Sequence, residues 1–226
     1  MKNRNQWLRR AVLGISVLLP VSAWAQDACP PEGTDASSLV LLKEQRFVID
    51  DVAVRDALAM GLLGCLSSPD PALRDGMAYE ASTQWLRTDQ LQPEGRAQSR
   101  DRLYDMLKEA DEAGFRQSFA ALVLSEVART DRISPWMSPA ERVAMVKAAT
   151  QYLRSVTDYR GFDNTEGWRH GVAHGSDWLL QLALNPGVER AQLDQILEAI
   201  ATQVVPESGH AYVFGEPGRL ARPVLY

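Results

Sequence analysis

Cysteine is scarce in this chain of 226 residues. Only Cys29 and Cys65 occur, so at most one intramolecular disulfide can form. Histidine is nearly as rare, with His170, His174 and His210 the full set. Clustered lysine and arginine are missing beyond residue 25. With a formal net charge of −5, the chain offers no basic patch for a nucleic-acid backbone or an anionic membrane surface. Long apolar runs are missing too. Nothing beyond the first 25 residues approaches the roughly 20 apolar residues that cross a bilayer, so no stable membrane insertion is expected. Alternating β-branched stretches are absent apart from Phe47-Val48-Ile49 and Tyr212-Val213-Phe214, and no clean internal repeat appears.

What is present begins with a leader pattern. Lys2, Arg4, Arg9 and Arg10 form a positive stretch, Ala11 to Leu19 is a short apolar run, and Pro20 ends it. Ala23-Trp24-Ala25 fits a small-x-small cleavage site, so residues 1–25 read as a signal peptide and the mature chain begins at Gln26. Export, most simply to a periplasm, is the expectation. Gln26-Asp27-Ala28 before Cys29 is not a lipobox. With the leader and its four basic residues removed, 201 residues remain and the net charge falls from −5 to −9. A chain of that size reads as one domain over 26–226. An oxidising compartment makes Cys29–Cys65 a disulfide candidate. Closing that loop is worth roughly 3–4 kcal/mol in the chain-entropy account. The alternative is two free thiols, with Cys65 simply buried.

The remainder reads as about eight helices punctuated by Pro, Gly and Asp. Expected spans are Leu39–Arg46, Asp51–Leu66, Pro71–Arg87, Arg100–Ala113 and Phe115–Ala128. A segment capped by Ser138-Pro139-Ala140-Glu141 follows, then a helix carrying two histidines, then Val188–Val204. The fold class is all-α: antiparallel helix pairs stacked as a solenoid-like or irregular array. The tail from Pro206 shows no regular period. Arg74-Asp75 and Arg100-Asp101-Arg102 read as solvated faces or weak ion pairs, and His210 as exposed.

Chemistry concentrates in Gly167 to Leu180. At one hundred degrees per residue from Trp168, His170, His174, Asp177 and Gln181 form one polar stripe on an otherwise apolar helix, with Trp168 opposite. Three readings stay open. His170, His174 and Asp177 bind a metal, zinc being the natural candidate for i, i+4 histidines; Gly171 stands where a zincin needs Glu, so that mechanism is excluded. Alternatively, the histidines and Asp177 perform metal-free acid–base work with Asp158, Asp163 or Glu166. In the third reading they hydrogen-bond the preceding loop and hold it in place. Gly171 and Gly175 permit close approach of a helix or a ligand. The loop Asp158-Tyr159-Arg160-Gly161-Phe162-Asp163-Asn164 offers either an anion site at a helix N-terminus or an Asp–Arg brace. Ser176 has no nucleophile-elbow context.

Asp158-x-Arg160-Gly161 followed by Gly167-Trp168-x-His170-x-x-Ala173-His174-Gly175-x-Asp177-x-Leu179 resembles the core motif of the DUF2785 family. Arg74-Asp75, Ala78-Tyr79 and Trp85 resemble its earlier helical segment. The resemblance implies a helical domain without an assigned activity. It puts weight on Asp158, Arg160, Trp168, His170, His174 and Asp177. Similar chains continue past Arg219-Leu220-Ala221 with another helix, which raises truncation of this C-terminus. The expected function is therefore an exported helical protein with a ligand or metal pocket, built from Asp158, Arg160, Glu166, Trp168, His170, His174 and Asp177. The alternative is a non-catalytic helical scaffold for a protein partner. No residue pattern assigns a reaction, so enzyme or not is left open.

Overall fold

Short polar side chains set the helix starts. In a computed structural model, which describes residues 28–226, Asp35 accepts the Ser38 amide at 2.7 Å and starts α1 (Ala36–Glu44). Asp51 accepts two amides ahead of α2 (Val52–Leu62), and Asp70 caps α3 (Pro71–Leu73) with Pro71 in the first turn. These carboxylates satisfy amides that have no partner within their own helix. The chain then runs through α4 (Glu80–Arg87), α5 (Pro93–Met106), α6 (Arg116–Ile133) and α7 (Pro139–Ser155). The α7 start is the expected Ser138–Glu141 capping box. A two-stranded hairpin, β1 (Phe162–Asp163) and β2 (Gly167–Trp168), precedes α8 (Gly171–Ala183), α9 (Arg190–Val204) and α10 (Glu216–Leu225). The fold is all-α. The signal-peptide segment 1–25 and Gln26 lie outside the described residues.

Contacts at both ends of each pair fix helix direction. Asp131 meets Arg142 where α6 turns into α7, and the Tyr152 hydroxyl at the far end of α7 donates to the Gly171 carbonyl at the start of α8. Gln203, ending α9, donates to the Leu153 and Val156 carbonyls at the end of α7. The pairs α6/α7 and α8/α9 are therefore antiparallel hairpins stacked in the same sense. One layer holds α4, α6, α8 and α10, and α7 and α9 pack beside each other in the other. Within the first layer the helices are parallel. Ser118 faces His174 while Arg132 faces Gln181; Arg74 lies over Phe115 while Arg87 pairs with Glu126; Glu216 faces His170 while Arg219 pairs with Asp177. Four N-terminal ends thus share one edge.

Several sequence expectations change here. The helical segment Pro71–Arg87 is continuous but contains a π-helix at Arg74–Tyr79. Asp51–Leu66 ends as a 3-10 turn, Leu63–Ser67. Neither Phe47–Ile49 nor Tyr212–Phe214 is a strand, because each lies alone without a neighbouring strand to pair with. The tail expected to lack a period folds as α10, whose Leu220 is buried. Arg74 and Arg100 are buried rather than solvated: Arg100 pairs with Asp101 and Glu141 and lies 5.6 Å from the Trp136 ring centre. Cys29 and Cys65 are joined in a disulfide that ties the chain ahead of α1 to the 3-10 turn. Among the described residues no helix is long and apolar enough to cross a membrane.

Gly171 and Gly175 serve helix packing. A Cβ at Gly175 would sit 3.0 Å from Tyr152 Cε1 and 3.2 Å from Leu153 Cδ1. Tyr152 cannot swing aside without losing its bond to Gly171. Gly175→Ala therefore lowers stability by about 1 kcal/mol, because overpacking at ~1–3 kcal/mol exceeds the ~1 kcal/mol propensity gain. Thermal unfolding checks this: the melting temperature falls by about 2–4 °C, and a rise contradicts the packing account.

Candidate functional site

The π-helix widens one turn and leaves Arg74 pointing inward, with no exposed surface. Its guanidinium donates to the Ser68 carbonyl at 2.9 Å and the Glu166 carbonyl at 2.6 Å, and pairs with Asp75 at 2.7 Å. It also lies 4.0 Å from the Phe115 ring centre, a cation–π arrangement strengthened by desolvation. Gly167 admits this approach, since a Cβ there would meet Arg74 Nη2 at 3.0 Å, and the hairpin holds Gly167 at φ +76°. The hairpin turn is closed by Asp163, which accepts the Thr165 and Glu166 amides.

Beyond the hairpin, His170 is not a helical residue. It is the N-cap of α8, in the left-handed region at φ 55°, so the two imidazoles do not follow ideal i, i+4 geometry. They are still neighbours, with ring centroids 5.9 Å apart. Trp168, expected on the far side of the helix, belongs to β2 and stacks on His170 at 4.6 Å. Together with Asp75, Tyr79, Phe119 and Arg219, these side chains and Asp177 line a cleft of about 450 Å³.

A hydrogen bond fixes the state of the His174 ring. His174 is buried, and its Nδ1 lies 3.1 Å from the Ser118 carbonyl oxygen, so Nδ1 carries the proton and Nε2 a bare lone pair. Burial drives His174 down to about 3, with the neighbouring His170 and Arg219 adding to it and the Ser118 carbonyl opposing. Burial also lowers His170, against the pull of Glu216. His170 Nε2 is buried without a hydrogen-bond partner, and Glu216 Oε1 stands 3.6 Å away, too far for a hydrogen bond. The carboxylates shift the other way. Burial raises Asp75 against Arg74, and raises Asp177 against Arg219 and Arg222. All four groups are thus pushed toward their neutral forms.

The sequence candidates divide. Trp168, His170, His174 and Asp177 meet in the cleft. Asp158 and Arg160 form the brace rather than an anion site: Arg160 Nε donates to Asp158 at 2.8 Å and Nη2 reaches the Glu112 and Ala113 carbonyls. Asp158 lines a separate pocket of about 170 Å³. Glu166 pairs with Arg169, so the loop acids do not serve the imidazoles. The His174 ring is bonded to Ser118 on α6, while the His170 ring touches the hairpin through its stack on Trp168. Asp177 is engaged by Arg219 and Arg222. Among the described residues no group of three His, Cys, Asp or Glu side chains is arranged to hold a metal ion, so the proposed His170, His174 and Asp177 zinc set does not assemble. His210 is partly buried and stacks on Tyr159.

Sequence reading missed Asp75, Tyr79, Phe119 and Arg219. Asp75 and Tyr79 are four apart, a spacing that was visible. What could not be seen is the π-turn that aims both into the cleft.

The His174 state has a pH consequence. In the unfolded chain this ring takes a proton near 6.5, in the folded protein only near 3. Its contribution is therefore fully present above about pH 6.5 and is lost as pH falls toward 3, by about 1.4 kcal/mol per pH unit. His174→Asn keeps a donor for Ser118 and removes the titration. Urea unfolding between pH 7 and 4 should show a shallower loss in the variant, and equal slopes would show that His174 is not held neutral.

Neither the curated proteins nor the solved structures contain a match to this chain. The model of a family described as protein of unknown function, DUF2785, matches residues 103–226. That span is more than half of the sequence and carries the hairpin, both cleft imidazoles, Asp177 and Arg219: the chain belongs to the DUF2785 family.

Proposed function

We propose that this is an exported protein whose cleft on α8 binds a small-molecule ligand. The observation that carries the reading is the His170 Nε2, buried and without a partner, at the wall of a cleft of about 450 Å³. An unsatisfied buried polar atom costs about 1–3 kcal/mol, and a hydrogen bond from a ligand relieves it. The volume falls within the range of small-molecule sites, about 300–1,000 Å³. Aromatic walls and few convergent polar groups fit that class as well. Support for export is the leader pattern of residues 1–25.

A fragment library screened by ligand-observed NMR tests the binding reading. Hits are expected on the wild type and lost in both Trp168→Ala and His170→Asn, each verified as folded by circular dichroism. An empty screen, or hits that survive both substitutions, contradicts it. N-terminal sequencing of the protein recovered from the periplasmic fraction should begin at Gln26; a retained Met1 speaks against export.

A second reading, a helical scaffold for a protein partner, is favoured by apolar side chains left open at the α9–α10 end. Val205 is 79% exposed and Leu225 74%. Substitutions in the cleft would leave that function intact.

A further inference from the structure

Resting on the ligand-binding reading, the inference concerns what kind of ligand the cleft selects. Charge comes first. The cleft walls carry Asp75 and Asp177, and each is matched by an arginine, Arg74 and Arg219. Arg222 is a second arginine beside Asp177, and Glu216 stands behind His170. The cleft also sits at the N-terminal ends of parallel helices, whose partial positive charge disfavours a cation. The carboxylates of Asp75 and Asp177 disfavour an anion. Both carboxylates that line the cleft, Asp75 and Asp177, thus already have an arginine.

Hydrogen-bonding polarity comes second. His174 has committed its Nδ1–H to Ser118, leaving Nε2 as an acceptor. His170 Nε2 is a second ring nitrogen, buried and without a partner. Its residue is about nine-tenths buried, so bulk water does not satisfy it. The Asp75 and Asp177 carboxylates add acceptors, and the guanidinium of Arg219 adds a donor beside one of them. A ligand answering this wall must bring several donors and at least one acceptor, without net charge.

Shape comes third. Trp168 is 36% exposed at the cleft, and Phe119 and Phe214 supply further apolar wall. Such surfaces suit a ring with an apolar face. We propose that the cleft binds a neutral polyhydroxylated ring of monosaccharide size, with one hydroxyl donating to His174 Nε2 and another hydrogen-bonding His170 Nε2. Hydroxyls both donate and accept, which matches the adjoining Asp177–Arg219 pair, and the C–H face of such a ring suits the aromatic wall.

The test uses the purified protein labelled with ¹⁵N, with the Trp168 indole resonance assigned by its loss in Trp168→Phe. The probes are methyl β-D-glucopyranoside, methyl β-D-galactopyranoside and the methyl glycoside of N-acetylglucosamine, each titrated at pH 7. Cyclohexylammonium and benzoate serve as cationic and anionic ring probes. The expected result is a saturable shift with at least one glycoside, weakened tenfold or more in His170→Asn. That variant keeps a residue tolerant of the left-handed backbone but shortens the reach of the side chain. Saturation by a charged probe alone overturns the neutral-ring proposal and leaves a ligand cleft standing. No saturable shift with any of the five overturns the neutral-ring proposal, whereas the binding reading falls only with an empty fragment screen. An undiminished glycoside shift in a folded His170→Asn overturns the role given to the imidazole.

Discussion

The Arg74 guanidinium has no exposed surface, and a charge so placed must find its partners inside the protein or cost several kcal/mol. It finds them on three separate pieces of chain. Ser68 precedes α3, Glu166 ends the hairpin turn, and Phe115 and Phe119 open α6. Satisfying one buried cation thus pins the π-helix, the hairpin and the start of α6 to a common point. Asp75 and Tyr79, Trp168, and Phe119 are carried on those same three pieces. The cleft walls are where they are because Arg74 is. The family match begins at residue 103, so this arginine also brings an earlier segment of the chain into the site.

Burial then sets the chemistry of the groups that Arg74 assembles. Imidazoles are pushed down and carboxylates up, in each case by desolvation ahead of any neighbouring charge. The parallel direction of α4, α6, α8 and α10 follows from stacking antiparallel pairs in one sense, and it gathers four helix N-termini on one edge. Acidic side chains at that edge, Asp75 and Glu216, answer the partial positive charge there. A polar wall with nearly balanced charge is the outcome.

Much of this was legible in the sequence. Helix periodicity and the Ser138 capping box gave the all-α class and the α7 start, because apolar spacing and cap chemistry are local properties. The polar stripe of His170, His174 and Asp177 pointed to the right face of α8. Trp168 was misplaced because a Gly at position 167, held at φ +76°, turns the chain into a hairpin before the helix begins. Arg74 read as solvated because an Arg-Asp pair carries no local mark of burial; its partners are up to 92 residues away in the chain. α10 was missed because Pro217, Gly218 and Pro223 hide its period, and Arg219 went with it.

Arg74→Lys is the most direct test of this account, read by hydrogen exchange of the amides from Phe162 to His170 alongside thermal unfolding. Lysine keeps the charge but not the fork that reaches Ser68 and Glu166 together. The account predicts a folded but less stable protein in which exchange protection of the hairpin is lost first. Hairpin protection and a melting temperature both equal to the wild type would contradict it.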